Sequence, residues 1–393
     1  EEVKKASIRG RGGAGFPAGV KWGFLAPKEG ERVYLVINGD ESEPGTFKDR
    51  TIMNKDPHRL IEGILIACYA IGAHACYIYV RGELAHSIKS LDAALAQARA
   101  KGYVGEKPFG KPYPIEIYTH TGAGAYICGE ETSLLNSLEG LRGEPRLKPP
   151  FPAVVGAFGA PTIVNNLETL ATVPTIVDMG GDAFSQRSRL HHLRDGGVRL
   201  YGVSGHVKRP GVYEAPVGIS LNELIYDLGG GVRGDRKIKA VIPGGSSTPV
   251  LRPEDLVVAA DEKHILHPWH GKSHLDVPMG VDTMRALGTM LGTCCAIVMD
   301  ETTSMVRAAE NLMLFYAHES CGQCTPCREG CAWMARLCRK FANGTATMTD
   351  LDTLGDVANN IMGNTICALG DGAAMPMLGI LKLFRHEFEE VVR

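Results

Sequence analysis

The sequence lacks several features that would place it in a specialised class of protein. No stretch approaches the roughly 18 uncharged apolar residues of a transmembrane helix, so no direct membrane insertion is predicted. Lys plus Arg (42) nearly balance Asp plus Glu (44), and a net charge of -2 gives no broad basic field for nucleic acid. No internal repeat stands out. A chain of 393 residues with ordinary composition is therefore expected to form two or three globular domains.

Cysteine is present but does not form a disulfide framework. The 11 cysteines are an odd number spread through a long chain, and several lie in apolar runs. Cys68 and Cys76, for example, are typical of small buried hydrophobic residues. This usage indicates a reducing compartment.

In the first part of the chain, strands alternate with helices. Apolar runs at Val33–Asn38, Ala75–Arg81 and Ile115–Thr119 predict strands, and helices are expected from Pro57 and from Leu84. The segment 142–165 has the composition of a loop. Such alternation predicts a mainly parallel, Rossmann-like sheet covered on both faces.

The second half changes character. A helix is expected directly after Asn165-Asn166, because Asn is a good N-cap. Strand, strand, helix and strand within 198–242 predict a small α+β module, followed by a further strand at Cys295–Met299 and then a helical region. The expected helices are 303–318, 327–342, 350–362 and 372–390. The expected domains are 1–190, 191–280 and 281–393.

A cysteine cluster is the most specific motif. Cys321, Cys324 and Cys327 have C-x2-C-x2-C spacing, and Cys367 follows 40 residues later. Three closely spaced thiolates with a distant fourth are typical of a [4Fe-4S] cluster. Zinc, a disulfide or plain core packing remain alternatives, although structural zinc sites usually have two separated Cys pairs.

Glycine-rich loops suggest ligand contacts with bare backbone. Gly10-x-Gly12-x-x-Gly15 has the letters of a dinucleotide fingerprint, but a helix rather than a strand precedes it. The motif still suits a phosphate or ring site, with Arg11 and Lys21 as cations. A tight structural loop is the alternative.

Two further loops follow predicted strands. The segment 38–45 (NGDESEPG) carries acceptors for sugar hydroxyls, and the segment 120–131 (HTGAGAYICGEE) leads into a helix whose N-terminus attracts anions. A solvated acidic turn and a divalent-metal loop are alternatives for the first. Four aromatics lie in or next to the loops and could stack on flat rings, although each alone is more often core packing: Phe16, Phe24, Tyr126 and Phe151.

These motifs together resemble those of the NADH-binding flavoprotein subunits of respiratory complex I, NADH:quinone oxidoreductase. The similarity lies in RGRGGAGFPAGVKW, NGDESEPGTFKDR, HTGAGAYICGEETSL, KPPFP, NNLET and ESCGQCTPCREG, in that family's order. The resemblance implies an α/β multidomain fold: a flavin domain, a ubiquitin-like β-grasp insert and a C-terminal four-helix bundle with the cluster.

The resemblance also implies two ligand sets. FMN is expected on Gly10, Arg11, Gly12, Gly13, Lys21, Asn38, Asp40, Glu41, Gly129, Glu130, Asn165 and Asn166. NADH is expected against Phe16, Phe24 and Phe151, with polar contacts from Glu43, Glu131 and Lys148. No side chain is expected to act as nucleophile or general base.

The implied activity is hydride transfer from NADH to FMN, followed by single-electron transfer to the cluster and toward quinone. The implied partners are a thioredoxin-like [2Fe-2S] subunit and a large iron–sulfur subunit of complex I. The expected location is the cytoplasmic face of a bacterial inner membrane, or the mitochondrial matrix side. A diaphorase subunit of a soluble hydrogenase or formate dehydrogenase is one alternative, and a zinc-bound scaffold is another. His264, His267, His270 and His274 are expected in a solvated loop, with a metal site as the alternative.

Overall fold

The chain is described by a computed structural model covering residues 1–392. It packs as two units. The first contains Glu1–Ser42, Thr46–Tyr201 and Glu214–Gly218, and the second contains Glu43–Gly45, Gly202–Tyr213 and the chain from Ile219 onward. The finer division into three domains stays a prediction.

The first unit is an α/β fold. Its helices are α1 (Glu2–Lys5), α2 (Ala18–Trp22), α3 (Asp49–Lys55), α4 (Pro57–Ile71), α5 (Ala85–Ala100), α6 (Glu131–Leu138), α7 (Leu167–Met179) and α8 (Gly181–Ser185). Its strands are β1 (Tyr34–Gly39), β2 (Ala75–Val80), β3 (Glu116–Thr121) and β4 (Thr162–Asn166).

The four strands form a parallel sheet in the order β3-β2-β1-β4. The chain first builds outward from β1 through β2 to β3. It then returns to place β4 on the other side of β1. In open α/β sheets, the point where the strand order reverses leaves a crevice at the carboxyl ends of the strands. Here that point lies between β1 and β4.

Only one face of this sheet is fully packed by helices. Leu35, Ile37 and Ile78 point into a core shared with α4, α5 and α7. On the other face, Tyr77 and Tyr118 stack with ring centroids 5.5 Å apart, and Tyr118 is 44% exposed. The expectation of cover on both faces was therefore only partly right.

Helix α4 begins and ends where the sequence predicted, because Asp56 caps it and Gly72 ends it in a left-handed conformation. Helix α7 begins after Asn166, whose side chain accepts from the Thr169 N–H, as expected. Strand β4, by contrast, was missed within a segment predicted as loop. Its five residues lie next to Pro161, and only pairing with β1 makes them a strand.

The second unit contains a mixed sheet and a helical region. The strands are β5 (Val198–Gly205), whose first residues belong to the first unit, β6 (Gly211–Pro216), β7 (Ile238–Ile242) and β8 (Cys295–Asp300), in the order β6-β5-β8-β7. The α-helices are α9 (Val281–Ala286), α10 (Met305–Glu319), α11 (Thr325–Ala342), α12 (Met348–Ile361) and α13 (Leu369–Glu389).

Strand β8 pairs parallel with β5 and antiparallel with β7. Helix α10 packs against α11 and α13, while α12 packs against α11 and α13. The predicted fold class, including the four C-terminal helices, is confirmed. Within residues 1–392, no helix is long and apolar enough to cross a membrane.

Gly63 tests the packing of α4 against α7. A Cβ atom at Gly63 would lie 2.0 Å from the Leu170 carbonyl oxygen. We therefore expect Gly63→Ala to lower the free energy of unfolding by about 1–3 kcal/mol. Gly355, on α12, is the matched control, since its nearest contact would be Leu381 Cδ1 at 3.9 Å. Gly355→Ala should stabilise by up to about 1 kcal/mol. Equal thermal midpoints for the two variants would contradict this account of the α4–α7 contact.

Candidate functional site

The carboxyl edge of the parallel sheet gathers polar residues from neighbouring strands. Asn38 on β1 lies beside Asn166 on β4, in the register of the parallel pair. The two residues are far apart in the sequence, and only the strand order brings them together. This edge is the reversal point of the sheet, where ligands bind in this class of fold.

The first glycine loop lies against the end of β4. The Arg11 N–H donates to Thr169 Oγ1 at 2.9 Å, and a Cβ atom at Gly12 would lie 3.2 Å from Asn166 Cβ. Trp22 Nε1 donates to Asn165 Oδ1 at 2.7 Å. These contacts hold Gly10, Gly12 and Gly13 at the carboxyl edge. Gly13 has φ of 120°, a conformation that favours glycine.

The loop before α6 meets the end of β1. Asn38 Nδ2 donates to the Gly129 carbonyl at 2.8 Å, and Asn38 Oδ1 accepts from the Asp40 N–H at 3.1 Å. A Cβ atom at Gly129 would find only Asp40 atoms nearby, at 3.5 and 3.7 Å. Gly129 therefore presents bare backbone beside Asp40, which suits close approach of a ligand.

Alternating charges connect three loops at this edge. Lys21 Nζ lies 2.8 Å from Glu131 Oε2, and Lys148 Nζ lies 2.8 Å from Glu130 and 3.3 Å from Glu131. Glu130 also caps α6 by accepting from the Thr132 and Ser133 N–H groups. Burial raises the pKa of Glu131, but Lys21 and Lys148 together hold that pKa below its usual value. Glu131 is thus a carboxylate with cations on both sides.

The predicted stacking aromatics are largely exposed. Phe16 and Phe24 have ring centroids 5.8 Å apart, and Phe16, Phe24 and Phe151 are 47%, 54% and 58% exposed. Tyr126 is half-buried at the start of a short 3-10 turn that ends at Gly129. Three exposed Phe rings are costly to leave in water unless they bind something flat and apolar.

Two predicted ligand side chains have other roles. The Arg11 side chain is fully buried and donates to the carbonyls of Gly196 and Val198, so its guanidinium has no accessible surface for a phosphate. The Glu41 carboxylate accepts from the N–H groups of Asp49 and Arg50 at the start of α3. Their expected roles as a facing cation and a facing carboxylate were therefore wrong. At the Arg11 position, the exposed backbone of the loop remains the part that faces outward.

Glu43 belongs to the second unit. Its Oε1 accepts from the Ser247 N–H at 2.7 Å and from Ser246 Oγ at 3.2 Å. Gly245 has φ of 92°, and a Cβ there would lie 2.6 Å from Glu43 Cγ. Glycine is therefore required where the Glu43 side chain passes. The predicted NADH contact of Glu43 stays a prediction.

A buried charge network supports Asn166 from below. Lys48 Nζ lies 2.8 Å from both Asp49 Oδ1 and Glu168 Oε2, and Asp49 Oδ2 accepts from Asn166 Nδ2 at 2.7 Å. Burial, together with Glu41 and Glu168, raises the pKa of Asp49 to about 6 against the attraction of Lys48. Sequence reasoning missed Lys48 and Asp49 as supports, although both lie within the quoted segment NGDESEPGTFKDR.

The predicted cluster ligands lie at two points of the helical region. Cys321, Cys324 and Cys327 surround the start of α11, with Cys324 as its N-cap and Pro326 in its first turn. Cys367 lies between α12 and α13, where Thr365 Oγ1 donates to its carbonyl at 2.8 Å. The prediction that Thr325-Pro326 starts a helix is confirmed. Helix N-termini stabilise thiolates, which are the form that binds metal.

Cys327 has the most perturbed environment of the three. A hydrogen bond with the Cys331 thiol lowers the pKa of Cys327, burial raises it, and Ser320 and Cys324 lower it further, to about 7. Cys331 and Cys338 are buried, as predicted for core residues. The part of the sequence between the ligands therefore favours a thiolate at Cys327.

Within residues 1–392, no group of three or more His, Cys, Asp or Glu side chains stands ready to hold a metal ion. The four cysteines therefore stay a predicted ligand set. The metal alternative for the histidine loop gains no support, since Nδ1 of His264 and Nδ1 of His270 accept backbone N–H bonds from Leu266 and Ala259.

Family models match most of the chain. The Nuo51 FMN-binding domain matches residues 3–175, and the NADH-ubiquinone oxidoreductase-F iron-sulfur binding region matches residues 307–391. An SLBB domain matches residues 199–267.

Named relatives agree with these matches. The F-type subunit of NADH-quinone oxidoreductase from Streptomyces coelicolor is 49% identical over 388 residues, covering 99% of this chain and 81% of that protein. Its namesake in Rickettsia typhi is 48% identical over 395 residues, covering 100% of this chain and 88% of that protein. The chain belongs to the family of F-type subunits of NADH-quinone oxidoreductase. A solved NAD+-reducing [NiFe]-hydrogenase in the H2-reduced state has a TM-score of 0.85 at 33% identity, and this chain spans 62% of that chain.

As a member of this family, the chain has an FMN domain and an iron–sulfur region, and the residues present suit both groups. Bare backbone at Gly12 and Gly129 with the Lys21 cation fits a flat, phosphorylated flavin. Four cysteines, three of them around a helix N-terminus, fit a [4Fe-4S] cluster better than the paired spacing of structural zinc.

Asp49 provides a test of the buried network. Because its pKa is raised, the folded chain holds a proton that the unfolded chain releases between about pH 4 and about pH 6. This stabilising contribution is present at low pH and is lost as pH rises through about 6. Asp49→Asn cannot titrate, so from pH 4.5 to pH 7 it should gain on the order of 1–3 kcal/mol relative to the wild type. Urea unfolding at the two pH values measures the gain.

The control for this experiment is Asp178→Asn, on the exposed end of α7. It should keep a constant difference from the wild type at both pH values. A constant difference for Asp49→Asn as well would show that Asp49 is ionised throughout the range.

Proposed function

We propose that this chain is the NADH dehydrogenase module of an NADH:quinone oxidoreductase of the complex I type. It binds NADH at the carboxyl edge of the parallel sheet and transfers its hydride to FMN. Electrons then leave singly through a [4Fe-4S] cluster toward quinone. The observation that carries this proposal is the presence, in one chain of this family, of FMN-binding and iron–sulfur regions with matching local geometry.

Bound FMN accepts two electrons as hydride and releases them one at a time, and the cluster accepts single electrons. The protein residues bind and orient. The backbone of Gly10, Gly12, Gly13 and Gly129 gives the flavin close approach, and Asn38 and Asp40 offer polar atoms beside it. Asn165 and Asn166 are fixed by Trp22 and Asp49, so their orientation is set before a ligand arrives.

The NADH side is proposed on the exposed rings and the charged residues next to them. Phe16, Phe24 and Phe151 provide faces for stacking. Glu131 accepts hydrogen bonds from sugar hydroxyls or the carboxamide, and Lys148 neutralises phosphate charge. The ion pairs of Glu131 with Lys21 and Lys148 keep its carboxylate ionised and aimed at this edge.

The proposed cluster ligands are Cys321, Cys324, Cys327 and Cys367. No residue is assigned as a proton donor or acceptor, because hydride transfer to a flavin requires orientation of the two rings rather than a side-chain base.

The chain is a component of the hetero-oligomeric NADH-quinone oxidoreductase complex. We propose a thioredoxin-like [2Fe-2S] subunit and a large iron–sulfur subunit as its neighbours. We also propose a peripheral position on the cytoplasmic or matrix side of the membrane.

The likeness to the NAD+-reducing hydrogenase favours a second candidate, a diaphorase subunit. The 33% identity to that chain is lower than the 49% identity to the Streptomyces relative, which favours the first candidate. Partners that co-purify with the native protein separate the two. Quinone-reductase subunits support the first, and a nickel-containing subunit supports the second.

Cys324→Ala tests the division of labour between the two regions. We expect loss of the iron–sulfur absorbance and of most of the bound iron, because one of four ligands is missing. NADH should still bleach the bound flavin, since the glycine loops are unchanged. Cys338→Ala is the control: Cys338 is buried beside Met377 and is not a proposed ligand, so iron should stay. Zinc in place of iron in the wild type would overturn the proposal in favour of the scaffold alternative.

Glu131→Gln tests the NADH side. Removal of the charge weakens charge-assisted hydrogen bonds that are worth about 1.5–3 kcal/mol each, so KM for NADH should rise roughly 10- to 100-fold. Steady-state NADH:ferricyanide kinetics measures this change, with iron content as the internal control. An unchanged KM would remove Glu131 from the NADH contacts.

A further inference from the structure

Ser320 lies at the turn that separates α10 from the cysteine motif. Its N–H donates to the Tyr316 carbonyl at 3.1 Å, so it ends α10 as the C-cap. Its backbone is extended, with φ of -60° and ψ of 123°. Its hydroxyl oxygen lies 3.2 Å from Cys327 Sγ. The side chain next to the motif therefore touches the sulfur of a proposed cluster ligand.

The surrounding contacts decide which atom donates. The Gly322 N–H donates to Ser320 Oγ at 3.4 Å, so one lone pair of that oxygen is already used. A cysteine that ligates iron is a thiolate and has no proton to donate. In the loaded protein, the Ser320 hydroxyl must therefore be the donor and Cys327 Sγ the acceptor.

Hydrogen bonds to ligand sulfurs are one of the means by which a protein sets the potential of an iron–sulfur cluster. A donor withdraws electron density from the thiolate, and this stabilises the more negative, reduced form of the cluster. Cys331 lies 3.9 Å from Cys327 Sγ on the other side, one helical turn later. It contributes a weaker thiol contact that is independent of Ser320.

We propose that Ser320 is a positioning residue that donates a hydrogen bond to Cys327 Sγ and thereby raises the reduction potential of the cluster. This inference rests on the proposed ligand set. It adds a residue that is itself no ligand and that acts through the sulfur of Cys327.

The test uses the near-isosteric pair Ser320→Thr and Ser320→Val. Both are β-branched, and the extended backbone at this position accepts β-branched residues. Only Thr keeps the hydroxyl. The full chain, loaded with FMN and iron, is titrated with reductant, and the cluster is followed by electron paramagnetic resonance. Iron content and flavin content are measured on the same samples.

We expect Ser320→Thr to keep the wild-type midpoint potential and Ser320→Val to shift it to a lower value at equal iron content. Equal potentials for Thr and Val would overturn the inference. Loss of iron from Val alone would also overturn it, since Ser320 would then serve cluster assembly rather than its potential. Loss of iron from both variants would show that the hydroxyl is not the feature that matters.

The control separates this inference from the proposed function. Wild-type protein without a [4Fe-4S] signal would reject the proposed ligand set itself. Wild-type protein with the signal, and variants without a potential shift, would reject only the role of Ser320.

Discussion

The pairing of β1 with β4 is the interaction on which the candidate flavin site depends. Parallel strands need long crossover connections, and the chain completes β2 and β3 with their helices before it returns to the opposite side of β1. That return reverses the strand order and opens the crevice at the carboxyl edge. Without it, Asn38 and Asn166 would not be neighbours, and the glycine loop would have no strand end to lie against.

The polar residues around this edge divide into those that face outward and those that support them. Lys21, Glu131 and Lys148 form an exposed chain of ion pairs, while Lys48, Asp49 and Glu168 form a buried one. A buried ion pair is costly to desolvate and seldom stabilises a fold by itself. Here the buried group also holds Asn166, which gives its retention a role in orienting the site.

The iron–sulfur region uses a different physical device. A helix begins inside the cysteine motif, so the partial positive charge of its N-terminus lies where thiolates are needed. Polar neighbours of Cys327 lower the pKa of its thiol to about 7, and a serine from the preceding helix end reaches the same sulfur. The ligand spacing and the tuning of the ligand therefore come from separate elements, α11 and the end of α10.

Local sequence determined much of this protein. Periodicity and caps predicted α4, α7 and the four C-terminal helices, because each depends on contacts within a few residues. Motif spacing predicted the family and its cofactors. It could not predict that Arg11 turns inward to the carbonyls of Gly196 and Val198, or that Glu41 caps α3, since a charged letter does not reveal its direction. Strand β4 and the Asp49–Asn166 contact were decided only by tertiary structure. Five residues become a strand because β1 offers its edge, and the two side chains meet although they are 117 positions apart in the chain.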